Sequence, residues 1–164
     1  MLSDGAACGH ERRGSFGLEA YLHEHIPISK HLGVRVAQAG RDAVQLTAPL
    51  EPNLNHRRTG FGGSIAALAI LTAWSLLWCR LRHRTGGHNI VIQTSTVDFI
   101  APVDAEFTAG CAAPSAPAWD RFQRTLDQRG RSRIQLEVSI HAGEVLAATF
   151  KGKFVVLGSR DVIK

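Results

Sequence analysis

Apolar residues recur with two different periods in the first third of this chain. Between residues 16 and 31 they follow the three- and four-residue spacing of a helix, and Pro27 ends or kinks that segment. Residues 34–39 and 43–48 are instead apolar at every second position, around a short polar turn. This pattern predicts a short amphipathic helix followed by a β-hairpin.

Residues 64–79, SIAALAILTAWSLLWC, are almost entirely apolar and end before Arg80. A membrane span needs about 20 apolar residues, so a helix buried in a soluble core, from Ser64 to about Leu81, is the better interpretation. Residues 49–63 contain prolines, asparagines and glycines, which are typical of a loop. We expect this loop to lead directly into the buried helix, and we expect no membrane contact.

The rest of the chain is typical of strands. Alternation predicts them at residues 89–99, 106–113, 133–141 and 144–156, joined by short hairpins, with one helical turn near residues 119–126. A helix that is apolar nearly all round requires cover on most sides, and a curled antiparallel sheet provides it. The sequence therefore predicts an α+β hotdog fold, with the sheet wrapped around one long central helix.

Composition narrows the class of protein. The 164 residues are 45% apolar, enough for one core, which we place in a single domain at residues 16–164 after a disordered lead-in at 1–15. The net charge of +5 suits an anionic ligand such as a nucleotide, phosphopantetheine or an acidic carrier protein, and is too modest to predict nucleic-acid binding. Three scattered cysteines without metal-ligand spacing indicate a reducing, cytoplasmic setting and no metal site.

Candidate chemistry is concentrated just before the central helix. Gly62, Gly63 and Ser64 stand at its amino terminus, where free backbone N–H groups and the helix dipole can form an oxyanion hole. The glycines would also let a ligand approach the backbone closely. Plain turn chemistry is the competing interpretation of this glycine pair, and the segment lacks the lysine of a phosphate-binding loop.

A wider set of residues resembles a known family. The matching positions are Asn53, Asn55, Thr59, Phe61, Gly62, Gly63, Ser64, Trp74, the segment 97–103, and Phe150, Gly152 and Phe154. Over roughly residues 21–157 the chain resembles the hotdog thioesterase-like family of the YiiD C-terminal type, which occurs alone or fused to acetyltransferase domains. The resemblance implies a homodimer that handles acyl-CoA or acyl-carrier-protein thioesters, with a tetramer by face packing as the alternative. CoA or phosphopantetheine would be part of the substrate, with no separate cofactor.

The chain departs from the better-understood hotdog thioesterases at two positions. Their helix begins His-Gly-Gly and carries an acid about two turns later, whereas Phe61 and Ile70 stand at the matching positions here. Without that acid, Asn55 is the residue expected to hold the water through its amide. Ser64 is expected either to bind the thioester or to cap the helix, with capping favoured. His56 is a base or part of a solvated loop, and Asp98 is an acid or a surface carboxylate.

Two functions follow. The first is a thioesterase whose expected catalytic residues are Asn55, Gly63 and Ser64. Its expected substrate-binding residues are Asn53, His56, Thr59, Phe61, Gly62 and Asp98. The second is a non-catalytic acyl-thioester binding module, which the missing acid at Ile70 favours. A hotdog dehydratase is disfavoured because neither Phe61 nor Ile70 supplies the histidine or acid that its chemistry requires.

Overall fold

The computed structural model describes the backbone of residues 8–84 and 87–158, and their side chains from residue 17 onward. Four α-helices and six strands lie in these ranges. In chain order they are α1 (Cys8–His25), α2 (Ile28–His31), β1 (Arg35–Ala39), β2 (Ala43–Ala48), α3 (Gly62–Leu81), β3 (His88–Phe99), β4 (Phe107–Ala112), α4 (Ala116–Arg129), β5 (Arg131–Ala142) and β6 (Val145–Gly158).

Helix α3 lies inside a single curled sheet. The six strands pair antiparallel in the order β1-β2-β4-β5-β6-β3, and α3 contacts every one of them. Twelve of its twenty residues are buried, which explains why its sequence is apolar nearly all round. On β5 every second side chain, from Ser132 to Ala142, is buried, as expected of a strand with one dry face.

The strand connections differ from the predicted series of hairpins. The β1–β2 hairpin is confirmed, and β5 and β6 also form a hairpin, which turns at Gly143 with a positive φ of 58°. Strand β3, however, pairs with β6 along its length, and β4 lies between β2 and β5. Hairpins from β3 to β4 and from β4 to β5 were therefore wrong predictions, because alternation identifies strands but not their neighbours.

Several element boundaries also differ from the prediction. Helix α1 begins at Cys8, so it extends into the predicted lead-in, whose residues 1–7 lie outside the described residues. The expected single turn near residues 119–126 is the 14-residue helix α4, whose buried face carries Trp119, Phe122 and Leu126. Helix α3 begins at Gly62, two residues earlier than predicted, so the glycine pair belongs to its first turn.

Helix α3 is the one helix within the described ranges that is long and apolar enough to cross a membrane. In its most apolar window 67% of the residues are buried inside the protein. The core position of the helix therefore accounts for its composition.

Cationic side chains attach the carboxyl end of α3 to its surroundings. The Arg80 guanidinium lies 4.2 Å from the centre of the Trp119 ring on α4, and Arg84 forms an ion pair with Asp127 on the same helix. These groups also complement the negative end of the α3 dipole. Helix α4 thus lies at the carboxyl end of α3, away from the glycine pair.

Gly152 is enclosed by two buried rings in β6. A Cβ atom on this residue would lie 2.5 Å from Cζ of Phe150 and 3.0 Å from Cε2 of Phe154, so one ring would have to move within a packed core. We expect Gly152→Ala to lower the free energy of unfolding by about 1–3 kcal/mol, measured by urea denaturation.

Gly17→Ala is the matched control, because a Cβ on this residue of α1 meets nothing within 4 Å. It should leave stability unchanged or raise it by up to about 1 kcal/mol. Equal urea midpoints for Gly152→Ala and the wild type would show that the rings around Gly152 do not constrain it.

Candidate active site

The first turn of α3 presents backbone donors that the helix itself does not use. The first helical hydrogen bond runs from the Ile65 N–H to the Phe61 carbonyl (3.1 Å), so the N–H groups of Gly62, Gly63 and Ser64 have no acceptor within the helix. No side chain caps this end, where the partial positive charge of the dipole lies. Among the described residues these three neighbouring amides therefore have no hydrogen-bond acceptor.

The structure corrects the capping role expected of Ser64. The N-cap residue is Phe61, which has an extended backbone (φ −68°, ψ 129°), and Ser64 is already the third helical residue. A capping side chain must come from the residue just before the helix, and phenylalanine carries no oxygen to accept the amide protons. Ser64 is buried, with 8% of its surface exposed.

Two phenylalanine rings flank the glycine pair. A Cβ on Gly63 would lie 2.3 Å from Cε1 of Phe61, and one on Gly62 would lie 3.2 Å from Cζ of Phe99. Both rings are more than half exposed (55% and 58%), so they form an apolar rim rather than part of the core. The glycines thus let the rings lie directly against the backbone of the first turn, beside its amides.

A cavity of about 390 Å³ opens beside this turn. Its lining is apolar or glycine except for one hydroxyl, and consists of Thr59, Gly60, Gly62, Ile65, Phe99, Ile100, Ala101, Pro102 and Val103. The volume lies within the range of small-molecule sites. None of these lining residues is titratable, so the cavity can hold an apolar group but offers no acid or base of its own.

The side chain of Asn55 holds the preceding loop in shape. Its Oδ1 accepts hydrogen bonds from the N–H groups of Arg57 (2.8 Å) and Thr59 (3.2 Å), and its Nδ2 donates to Thr59 Oγ1 (2.9 Å) and the Gly60 carbonyl (3.3 Å). A carboxamide has two donor protons and two lone pairs on its oxygen, so all four positions are used. Asn55 therefore fixes the loop and through it Thr59; a contact with water or a thioester stays a prediction.

The tip of this loop is basic and faces solvent. His56, Arg57 and Arg58 are all exposed, and Arg58 has a positive φ of 63° that is uncommon for a residue with a side chain. The tight turn, closed by the hydrogen bond from the Asn55 N–H to the Thr59 carbonyl (2.8 Å), imposes that conformation. Three basic side chains are thus presented next to the cavity-lining Thr59.

Asn53 is buried beneath the loop rather than in the cavity. Its Nδ2 donates to the carbonyls of Leu32 (2.8 Å) and Pro49 (2.7 Å), and its own carbonyl accepts the Phe61 N–H (2.7 Å). Only 1% of its surface is exposed. These bonds make Asn53 a connection between the start of α3 and the α2–β1 region, so its expected contact with substrate is not seen in this arrangement.

Asp98 lies on the wrong face of β3 to reach the glycines. Its neighbours Val97 and Phe99 face the helix side, since Val97 packs on the core and the Phe99 ring touches Gly62. Successive side chains of a strand point to opposite faces, so the exposed Asp98 points away from α3. The structure does not bring this carboxylate together with the other candidate residues.

The strongest omission from the sequence prediction is the segment 99–103. None of its five side chains is polar, and all five residues line the cavity together with Ile65. The Gly60 N–H donates to the Val103 carbonyl (2.7 Å), which holds this segment against the loop. The sequence signal for this wall is the apolar run after Asp98 in the segment 97–103, the same segment that carries the resemblance to the family.

Other reactive groups lie away from this site. Burial raises the pKa of the Cys79 thiol, and it raises the pKa of the Cys111 thiol to about 12, so neither is a ready nucleophile at neutral pH. Among the residues whose placement is described, no group of three His, Cys, Asp or Glu side chains could hold a metal ion.

A protein family described as "Putative thioesterase (yiiD_Cterm)" has a model that matches residues 16–158 of this chain. The chain belongs to this family. The match covers the loop, all of α3 and every strand of the sheet, so the candidate site lies within the region that family members share.

Solved structures agree with this assignment. A protein of unknown function from Chlorobaculum tepidum is 28% identical, with a TM-score of 0.82, over 90% of this chain and 96% of its own. A protein described as a putative thioesterase, from Shewanella oneidensis, is 25% identical with a TM-score of 0.78, over 89% of this chain and 99% of its own. A Haemophilus influenzae thioesterase shares the fold at 15% identity, with a TM-score of 0.71 over 92% of this chain and 94% of its own. The predicted α+β hotdog fold is confirmed.

The four hydrogen bonds of Asn55 give a direct test of its role in the loop. We expect Asn55→Ala to lower the free energy of unfolding by about 1–3 kcal/mol, because four hydrogen bonds are lost and three of them are partly buried. Hydrogen exchange should also speed up at the N–H groups of Arg57 and Thr59, which lose their acceptor.

Asn55→Asp keeps both acceptor bonds and loses both donors, so its stability should fall between those of the wild type and Asn55→Ala. Unchanged exchange at Arg57 and Thr59 in Asn55→Ala would contradict the loop-fixing role.

Proposed function

We propose that this protein hydrolyses acyl-CoA or acyl-carrier-protein thioesters, with the first-turn amides of α3 as the oxyanion hole. The observation that carries the proposal is the juxtaposition of the unused N–H groups of Gly62 and Gly63 with an apolar cavity. Gly62 belongs to both features, so a thioester carbonyl bound at the amides would have its acyl chain beside the cavity. Membership of the thioesterase family supports the same reaction class.

The reaction needs one preorganised charge stabiliser. Water oxygen bonds to the carbonyl carbon, negative charge develops on the carbonyl oxygen, and the carbon–sulfur bond then breaks to give a carboxylic acid and a thiol. One proton of the attacking water passes to the thiolate sulfur. Removing a single donor from such a site typically costs 10²- to 10³-fold in rate, about 3–4 kcal/mol, so the Gly63 amide can supply a large part of the catalysis.

A general base has to come from outside the cavity lining of one protomer. No cavity-lining residue is titratable, Ile70 stands at the position of the usual acid, and Asp98 points away. His56 lies in the loop before α3, one residue from Asn55 and three from the cavity-lining Thr59. We assign it to proton transfer through water, with Asn55 and Thr59 holding the loop and the buried Ser64 supporting the turn.

The loop tip also suits the carrier of the acyl group. Arg57 and Arg58 are exposed and carry no ion pair among the described residues, so they can meet phosphates of CoA or of phosphopantetheine. Substrate would thus lie with phosphate outside, thioester at the first turn and acyl chain in the cavity. Two buried free cysteines, Cys79 and Cys111, fit a cytoplasmic location for this activity.

A second candidate function has its own supporting observation. An apolar cavity without a titratable lining residue suits an acyl-thioester binding module that does not turn its ligand over. The two candidates share a ligand and differ in whether the carbon–sulfur bond breaks.

Release of free thiol from acyl-CoAs, acetyl to palmitoyl, tests the thioesterase directly, and Gly63→Pro tests the oxyanion hole. Proline lacks the N–H group yet is tolerated in the first turn of a helix. We expect Gly63→Pro to lower kcat/KM by roughly 10²- to 10³-fold.

Gly63→Ala is the matched control, because its Cβ meets the same Phe61 ring while its N–H remains. A similar loss in both variants would assign the effect to that contact and overturn the amide role. Thermal stabilisation by acyl-CoA without thiol release, in the wild type, would replace the hydrolase with the binding module.

We also propose that two copies pair along β3. This twelve-residue strand lies at the sheet edge with β6 on one side only, and Val91 and Phe99 are exposed on it. Long unpaired edges invite strand pairing, and a twofold dimer removes the hazard. Pairing would also bury the half-buried stripe of α3 that includes Ile70.

Light scattering should give a mass of twice 17.8 kDa for the wild type. Thr94→Lys with Thr96→Lys should shift the equilibrium toward monomer, because both positions lie on the exposed edge and would face like charges across the twofold axis. Gln45→Lys with Gln128→Lys adds the same charge elsewhere on the exposed surface and should leave the mass unchanged. A monomeric wild type at all concentrations would contradict the pairing.

A further inference from the structure

A second concave site lies between α4 and the start of β5. It encloses about 410 Å³, in the range of small-molecule sites. Its walls carry four arginines, two hydroxyls and one carboxamide around an apolar base: Arg121, Arg129, Arg131, Arg133, Thr125, Ser132 and Gln135, with Ala118, Phe122 and Ile134. No acidic residue lines it, so the groove concentrates positive charge.

Helix α4 separates its charges between two faces. Ala118, Arg121, Thr125 and Arg129 are spaced three or four residues apart and therefore line the groove from one face. At 100° per residue, Asp120 and Asp127 lie roughly 150–170° from the centre of that face. Asp127 is also paired with Arg84. The acids of α4 thus do not neutralise its arginines within the groove.

The arginines of the groove are free to bind an anion. The ion pairs of the described residues are Arg84–Asp127 and Lys151–Glu137, so no groove arginine has a carboxylate within 4.0 Å. Arg133 donates from Nε to Gln93 Oε1 (3.1 Å), which orients one guanidinium and leaves its terminal nitrogens available. Uncompensated arginines around a concavity are costly to assemble unless they meet an anion.

The open edge of β5 supplies further donors. Strand β4 pairs with β5 only at residues 139–142, so residues 131–138 of β5 have a strand partner on the β6 side alone. In an antiparallel strand, alternate residues direct their N–H and C=O groups to each side. Helix α4 packs beside this edge, and residues 131–135 of β5 line the cavity between them, whose volume suits a small molecule.

We propose that this groove binds a phosphorylated small molecule of the nucleotide class. Planar guanidinium groups match phosphate oxygens in bidentate geometry, and the side chains of Thr125, Ser132 and Gln135 add neutral hydrogen-bonding partners. The apolar base is formed by Ala118 together with the largely buried Phe122 and Ile134, so an uncharged part of the ligand can rest on it without entering the core. The ligand therefore carries at least two phosphate groups next to an uncharged ring.

This site is separate from the proposed thioester site in the same protomer. The glycine pair lies at the amino end of α3, whereas α4 is attached at its carboxyl end through Arg80 and Arg84. Twenty helical residues span about 30 Å, so the two sites lie at opposite ends of the core helix. The proposal goes beyond thioester hydrolysis and does not depend on it.

Calorimetric titration of the full chain with ADP, at low salt, tests the proposal, with adenosine as the uncharged comparison. We expect ADP to bind the wild type and adenosine to bind at least about tenfold more weakly. Arg129→Gln with Arg131→Gln should raise the Kd for ADP at least about tenfold, because each loses a charged donor. Thiol release from acyl-CoA, measured in parallel, should not change in this variant.

Lys30→Gln with Arg35→Gln removes the same charge from exposed positions elsewhere and should leave the Kd for ADP within about twofold of the wild type. An equal loss in this control would show nonspecific attraction by net charge and overturn the site. If instead only Arg57→Gln with Arg58→Gln weakened ADP binding, ADP would bind at the proposed thioester site, and the groove proposal would be overturned. Failure of ADP to bind the wild type, or equal binding of adenosine, would also overturn it.

Discussion

Burial of α3 within one curled sheet is the constraint on which the other features of this protein depend. A helix enclosed on most sides can be made of leucine, alanine and tryptophan without a polar face, and the sheet gains a dry surface against which alternate residues of β5 pack. Apart from one half-buried stripe that includes Ile70, such a helix meets the solvent at its two ends. Their opposite dipole charges make the two ends chemically different, with free amides at Gly62 and cations at Arg80 to Arg84.

The loop before α3 is held in a fixed shape next to the positive end of the helix dipole. Asn55 uses its whole hydrogen-bonding capacity within the loop, Asn53 ties the start of the helix to the carbonyls of Leu32 and Pro49, and Gly60 joins the loop to Val103. The two asparagines thus satisfy loop atoms, not helix amides. Because the Phe61 side chain at the N-cap has no oxygen or nitrogen to accept a hydrogen bond, no side chain occupies the amides of the first turn. An oxygen-bearing N-cap side chain would have stabilised the helix and occupied the donors.

Sequence reasoning recovered the features that local periodicity encodes. The long apolar run gave α3, and the alternation gave the strands to within a few residues. Local periodicity could not predict the order of the strands in the sheet, because β3 pairs with β6, which is far away along the chain. Resemblance to a family drew attention to Gly62, Gly63 and Thr59, which do lie at the cavity or at the amides. The saturation of Asn55 and the orientation of Asp98 depend on a turn and on strand register, and no spacing along the chain reveals either.

The wall of the cavity is open on one side in the single protomer, and a second copy of the chain could both close it and supply a general base. Phe61, Phe99 and Ile100 are each more than half exposed around a site that must exclude water to make its amides effective. Phe99 and Ile100 lie at the end of β3, the strand whose outer edge has no partner. A second copy paired along β3 would cover these side chains and bring another set of polar groups to a cavity that has no titratable lining of its own. A thioesterase and a binding module could then have the same protomer structure. The difference between them would be whether the partner copy places a general base at the cavity. The missing acid at Ile70 is then decisive only if the completed dimer also lacks one.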